Sequence, residues 1–517
     1  MIKFEKVRIT TNGEYKDLIF KDNKYMYEDI SVSINENNEI LLTGNKTPLA
    51  FIEFEMNNNL FKDALILGDA WERAYGDLEW KKADVNKIMP WYFMAYCDNT
   101  LHGIGVKTLP NSFCGWKCDN DRIVLIVDVR NGTHDIVLNG RELKTCTLVI
   151  KEYGGDIYRA ARQFCREMCD NPKTPKRAIY GGNDWYCNYA DNSFDKILTH
   201  TKRIVECSPK GADKPYMVID DGWEICQRSG DREGEYFNGG PWKYANRNFG
   251  DMKKMADAVS AEGAIPGIWF RPLLTVEKIP QECVLRREGI MLVLDPSHPK
   301  ALDIVKDDVK TFTEWGYRLI KHDFSSFDIT KQWGFEMETD LYKEGHEVSF
   351  YDKTRTTAEI IKDFYMTLKE AAGDDVLIIG CNTFSHLSAG IFEIQRTGDD
   401  TSGLDWSRTK KYGINTLAMR MPQHEAFYAA DADCVGITNS IDRRLNRQWL
   451  DVLAKSGTPL FVSIAEDAYS DEVKADITEA FKKASETHNT SRPLDWLDSR
   501  VPCEWESDFG DDKYMWD

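Results

Sequence analysis

Up to about residue 153 the apolar positions come in short runs: EILLTG, FIEFEM, DALILG, WYFMAYC, RIVLIVDV, DIVLNG and CTLVIK, separated by clusters of Asn, Asp and Gly. Runs of this length with this punctuation read as strands, and many of them without a long helical period predict a β-sandwich. Asn139-Gly140 is a hairpin-turn signal. One stretch departs from the pattern. GDAWERAYGDLEW, Gly68–Trp80, is unusually aromatic and charged for a connection; it is either a core strand with its turn or a segment leaning over a neighbouring site. Asp156 then reads as the N-cap of a helix in which Ile157, Ala160, Ala161, Phe164, Cys165 and Met168 share one face. The two prolines of NPKTPKR (171–177) end that helix and mark the best boundary in the chain.

After Arg177 the rhythm becomes strand, loop, helix, repeated. Strand-like runs fall at Ile179–Trp185, Tyr216–Asp220, Ile265–Phe270, Tyr317–Lys321, Val376–Cys381, Phe392–Arg396, Ala432–Ile437 and Pro459–Ile464. Helical patterns lie between most of them, at Phe194–Val205, Asp251–Glu262, Pro299–Trp315, Thr356–Ala372, Ser407–Met419 and Arg444–Lys455, with Gly263 and Gly373 at C-cap positions. Eight strands alternating with helices predict an α/β fold, a (β/α)8 TIM barrel, and no glycine-rich phosphate loop follows the first strand to favour a doubly wound sheet. MLVLD (291–295) is a ninth apolar run, an accessory strand or the entry to the next helix. The expected organisation is a β-sandwich over 1–155, a helical linker over 156–177, the barrel over 178–486 and a short C-terminal β extension over 487–517.

Composition narrows the function classes. A chain of 517 residues suits two or three domains. A net charge of −19 argues against a nucleic-acid partner, which needs an excess of Lys and Arg. Thirteen cysteines are scattered; Cys114/Cys118 and Cys165/Cys169 are the only close pairs, and neither has ligands at zinc spacing. The amino terminus has no signal-peptide core and no run of about twenty apolar residues exists, so a reduced, cytoplasmic protein without a membrane span is expected.

In a barrel, chemistry collects at the C-terminal ends of the strands. Those ends read NDWYCNY, DDGW, WFRP, KHDF, GCNTFSH, RTGDD and DADC in order. Lys321 and Asp323 are two apart and point to the same side of an extended strand, while His322 points away. A lone KxD is more often a cap than a catalyst; carboxylates, amides and aromatics on consecutive strand ends reverse that reading. The mouth lacks a metal-hydrolase constellation and a GxSxG elbow. It offers paired carboxylates, the equipment of glycoside hydrolysis, and aromatic faces that stack on sugar rings.

VIDDGW, IKHD, a Cys after the fifth strand and RTGDD, in this order, resemble the melibiase-type α-galactosidases of glycoside hydrolase family 36, related to family 27. GDAWERAYGDLEW and VLDPSHP resemble family 36 in particular, and the likeness runs over roughly residues 50 to 465. It implies Asp323 as nucleophile, Lys321 and Arg396 as sugar-binding cations, and Asp220 and Asp221 as the pair around C4 and C6. Trp185 falls at the aromatic wall of the first strand, Trp223 and Arg271 are further candidate substrate-binding residues, and Cys381 and Asn382 fall on the C2 side. The acid/base is expected at Asp400, four residues after the arginine, with Asp399 the other candidate and otherwise a ring-binding carboxylate. The implied reaction is retaining hydrolysis of terminal α-galactosides without metal or organic cofactor, on a small carbohydrate substrate, by a chain that forms homo-oligomers. In it Lys321 helps keep Asp323 ionised, and the charge of Asp323 helps keep Asp400 protonated. Two departures stand out: WFRPL places Arg271 where the family has a carboxylate, and CNTFSHLSAG replaces the glycine-rich pattern after the fifth strand. They leave room for an N-acetylgalactosaminide, a β-L-arabinopyranoside or transglycosylation on the same site. A non-catalytic sugar-binding barrel is the more distant alternative. The loops Ile225–Asn248 and Ile329–Lys353 are expected on the leaving-group side.

Overall fold

The computed structural model describes residues 4–226, 238–337, 340–486 and 489–517. Part of the loop expected at Ile225–Asn248, and residues 338 and 339 of the second loop, lie outside them. The amino-terminal part is two antiparallel sheets, one of six strands and one of eight. Alternation builds them: Lys6–Thr11 and Glu39–Thr43 bury every second side chain, putting Val7, Ile9, Ile40 and Leu42 in the core between the sheets. The 139–140 pair makes a tight turn with both residues at positive φ, but the run DIVLNG contributes an isolated bridge, Ile136 to Leu49, rather than a strand.

The second part is a parallel sheet in the order Ala429–Asp431, Ile394–Arg396, Leu377–Gly380, Leu319–His322, Ile265–Phe270, Tyr216–Ile219, Tyr180–Asn183, Leu460–Ile464, Cys434–Ile437. Its strands are buried on both faces, as a helix-covered parallel sheet requires. The two end strands are consecutive in the chain, separated only by Ala432 and Asp433, with Asp433 at φ 71°. They are two halves of a seventh barrel strand: Ala429–Asp431 pairs with the sixth, and Cys434–Ile437 pairs with the eighth. The barrel therefore closes through a break at Asp433.

The helices start and stop where side chains dictate. Ser193, Asp251 and Thr356 cap the helices Phe194–Cys207, Met252–Glu262 and Thr357–Ala372. Gly263 and Gly316 end theirs in the left-handed conformation. The run expected as one helix at Ser407–Met419 contains a π-helical stretch, Thr409–Ile414, between Trp406–Arg408 and Asn415–Arg420. A further helix, Asp471–Ala484, was not anticipated, although Val473, Ile477, Ala480, Phe481 and Ala484 are buried at helical spacing. Met291–Leu294 is an accessory strand in a small antiparallel sheet beyond the third barrel strand, and the tail forms three short strands.

Candidate active site

The fourth barrel strand, Leu319–His322, delivers Lys321 and Asp323 to the mouth. His322, out of phase, is buried among Phe270, Phe364, Tyr365 and Phe392, and burial pushes its ring down to about 3, so it is structural and neutral. Asp323 is 7% exposed. Its Oδ2 accepts from the Trp269 indole at 3.0 Å and its Oδ1 from the Phe324 amide at 2.8 Å. That amide is available because Phe324 adopts φ 63°, an uncommon conformation for a bulky residue that turns the chain back at once. Burial works to raise the Asp323 carboxyl; the Arg73 guanidinium, the Lys321 ammonium and the indole outweigh it and hold it below the usual range.

At the end of the second strand, Asp220 takes Lys321 Nζ at 2.7 Å and the Asn183 amide at 2.6 Å on Oδ2, and the Asp221 amide on Oδ1. Asp221 accepts from Asn238 at 3.0 Å. Arg271 does not offer its charge to the mouth: it is buried, paired with the fully buried Asp328 and stacked on Phe324, and its Nη1 donates to Asn238 at 2.8 Å. Trp185 stands half-buried at the rim beside Tyr189. Trp223 is not a pocket wall. It is fully buried against Trp242, Phe312 and Trp315, with its indole on the Trp269 carbonyl.

The sixth strand carries Arg396, Asp399 and Asp400. Arg396 is buried, pairs with Asp433 at 2.9 Å, and donates to Asp400 Oδ1 at 3.4 Å and to Cys381 Sγ at 3.5 Å. The break in the seventh strand presents Asp433 for this pairing. Asn382 is buried with its amide on Glu72 at 3.1 Å, turned into the wall. Asp400 is the most open of these carboxylates, its side chain 36% exposed.

The Gly68–Trp80 stretch is not a core strand; it crosses to the barrel mouth. Glu72 accepts from Ser326, Asn382, Gly334 and Tyr75, and Ala74 bridges to Gly398. Arg73 reaches the site itself, with Nη2 2.8 Å from Asp399 and Nη1 3.0 Å from Asp400. This corrects the sequence-based electrostatics. Burial favours a protonated Asp400, but Arg73, Arg396 and Lys321 together bring it down to about 2, against the effect expected from Asp323 alone. Both carboxyls, Asp323 and Asp400, are thus held below the usual range by the cations that line the pocket. Among the described residues no group of His, Cys, Asp and Glu is arranged to hold a metal ion.

No protein-family model matches the chain. Its structure matches an α-galactosidase from Thermus thermophilus in complex with p-nitrophenyl α-D-galactopyranoside, at 14% identity and a TM-score of 0.61 over 99% of each chain. A GH36 α-galactosidase from Geobacillus stearothermophilus, in complex with 1-deoxygalactonojirimycin, matches at 13% identity and 0.59 over 97% of this chain and 76% of that one. The α-galactosidase from Lactobacillus brevis matches at 12% and 0.59 over 92% and 72%. The fold is that of the GH36 α-galactosidases. In this fold the ends of strands two, four and six lie on one parallel sheet, with Asp220, Asp221, Lys321, Asp323, Arg396, Asp399, Asp400 and Cys381 linked by direct contacts or mutual charge. Missed from sequence were Arg73, Glu72, Tyr186 and Asp433. Tyr186 donates to Asp433, which turns to Arg396. The signal available for Arg73 was the charge and aromatic density of its loop; for Asp433 there was only its place beside Asp431.

Proposed function

We propose that the chain is a retaining, exo-acting α-galactosidase that releases terminal α-linked galactose from oligosaccharides or glycoconjugates. The observation that carries the reading is Asp323: a buried carboxylate held ionised at the end of the fourth strand, across from Asp400 on the sixth. Asp323 attacks the anomeric carbon while Asp400, which the surrounding cations hold low in the free site and which must therefore gain a proton as the sugar binds, protonates the leaving oxygen; water deprotonated by Asp400 then frees the sugar. Asp220, Asp221 and Lys321, each under 9% exposed, form a floor that suits a single terminal ring. The two departures from the family pattern are taken up structurally, Arg271 by Asp328 and the Asn382 amide by Glu72, which supports galactose over a modified ring. Asp399, shared by Arg73 and Arg408, serves as the holder of Arg73.

We read residues 1–155, 156–177, 178–486 and 487–517 as sandwich, linker, catalytic barrel and β extension. The thirteen free cysteines support a reducing, cytoplasmic setting, and no described helix is long and apolar enough to cross a membrane. Homo-oligomerisation is testable by light scattering. The decisive experiment is Asp323→Asn on an aryl α-galactoside: cleavage is abolished, and azide traps the β-galactosyl azide from Asp323→Gly and the α-azide from Asp400→Gly. Wild-type turnover by Asp323→Asn sinks the assignment.

A further inference from the structure

The turn after the second barrel strand reads Asp221-Gly222-Trp223-Glu224, and Glu224 plays no part in the chemistry above. Glu224 is fully buried and Asp221 is 8% exposed. Glu224 Oε2 accepts from the Gly222 amide at 3.1 Å, and Asp221 Oδ2 accepts from Asn238. The remaining oxygens, Asp221 Oδ1 and Glu224 Oε1, are closed off from solvent and have no donor among the described residues. Yet the two carboxyls sit three residues apart on one turn, both buried, and each acts on the other's protonation. Two ionised carboxylates cannot stay this close in a dry site, and neither can donate. A single retained proton satisfies both oxygens at once.

The neighbours decide where that proton sits. Asp221 faces Asp220 and, across the pocket, Asp323. Among the described residues, Lys321 is engaged on Asp220 and Arg271 on Asp328. Glu224 faces Asp221 and, among the described residues, the Cys226 thiol, itself pushed up by burial and by Glu224. Burial and the adjacent Asp221 charge drive Glu224 far above the usual carboxylate range, while burial raises Asp221 as well.

We propose that Glu224 is a protonated positioning residue that donates to Asp221 Oδ1 and locks the carboxylate facing the sugar. Asp221 is then held on both oxygens, by Glu224 and by Asn238, and the pair carries one negative charge instead of two. The inference rests on the proposed reading of Asp221 as a sugar ligand. At alkaline pH Glu224 loses its proton, the two charges separate, and substrate binding weakens.

Glu224→Gln keeps a donor for Asp221 and an acceptor for Gly222; Glu224→Met matches the length and offers neither. With p-nitrophenyl α-galactoside, Glu224→Met should raise KM on the order of tenfold, as expected when a buried acceptor loses its donor, with a smaller effect on kcat. Glu224→Gln should recover most of that loss and should remove the rise of KM at alkaline pH. Independently of activity, infrared spectra of the full-length protein labelled with 13C-glutamate should show a protonated carboxyl band at neutral pH that disappears in Glu224→Gln. Absence of that band, or a Glu224→Gln enzyme as impaired as Glu224→Met, overturns the proposal. If Glu224→Met does not fold, the band and the Glu224→Gln pH profile decide. If the wild type cleaves no α-galactoside, the functional reading fails while the infrared result still rules on the proton.

Discussion

Replacing Arg73 by Gln tests whether a residue of the sandwich sets the protonation of the barrel's carboxylates. Arg73 donates to Asp400 at 3.0 Å, pairs with Asp399 at 2.8 Å, and is the foremost charge lowering both Asp323 and Asp400. A cation at this range depresses a carboxyl by about 1–3 units. Asp400, at about 2, also feels Arg396, Lys321 and Arg408, so losing Arg73 alone should return about 1–2 of those units. The sign follows from the roles. The acid limb of kcat, which reports the substrate complex, belongs to the group that must be ionised, Asp323, and the alkaline limb to the group that must by then have gained a proton, Asp400. Removing the guanidinium raises both, so the whole profile moves to higher pH, its alkaline limb by about 1–2 units. The assay compares initial rates across pH for a disaccharide α-galactoside, whose leaving alcohol needs the proton, and for p-nitrophenyl α-galactoside, which needs it little. The alkaline shift should be clear with the disaccharide and weak with the aryl substrate. A uniform loss of rate with both limbs unmoved would refute the electrostatic reading and leave Arg73 as a contact residue only.

Trp333 stacks on Phe327 and lies 5.8 Å from the Arg73 guanidinium, and we propose that it flanks the leaving group. Trp333→Ala should raise KM for p-nitrophenyl α-galactoside about fivefold to tenfold and leave α-galactosyl fluoride, with its small leaving group, unaffected; equal effects on both would reject that placement. Glu72→Ala strips an acceptor from Ser326, Asn382, Gly334 and Tyr75, and should destabilise the chain by roughly 3 kcal/mol or more in urea unfolding; a change under about 1 kcal/mol would contradict it. Asp308, buried on the Pro299–Trp315 helix, is pushed by burial and by Glu277 from 3.8 to about 8. The folded state therefore keeps a proton that the unfolded chain releases, and this share of stability is present at acid pH and lost as pH rises towards about 8. Asp308→Asn should gain melting temperature over wild type at pH 8.5 more than at pH 5; identical differences at both would show that Asp308 does not titrate there.

Periodicity made the barrel readable because strands such as Ile265–Phe270 and Leu460–Ile464 are largely apolar runs and the long helices carry a cap or a terminal glycine. Ile265–Phe270 and Pro299–Trp315 fall as expected to the residue. The seventh strand was harder. Only Ala432–Ile437 reads as a run, and the Ala429–Asp431 half is defined by its pairing with Ile394–Arg396, a contact with no trace in local sequence. The same limit applies to the site. Lys321 and Asp323 are placed by strand phase, which two residues suffice to show. The Trp223 ring could not be sorted from Trp185 by position, because both follow a strand; one lands on Phe312 and Trp315 of a packed helix and the other at the rim. The charge state of Asp400 was unreadable for a stronger reason: it depends on Arg73, 327 positions earlier in the chain.

That separation has a consequence for how the protein is made. The sandwich leaves the ribosome first, so the Gly68–Trp80 loop exists well before the aspartates it will meet. At about 5–20 residues per second, Arg73 spends roughly 15–65 s of synthesis without Asp399 and Asp400. Until they arrive its guanidinium has every reason to remain in water, and the loop has only its sandwich contacts, Trp71 on Phe113 and Asp69 on Trp91, to lie on. Arrival of the sixth strand should convert an exposed, protease-sensitive segment into a protected one, so that limited proteolysis of stalled nascent chains, cut before and after residue 400, would report the moment at which the barrel acquires its full set of charges.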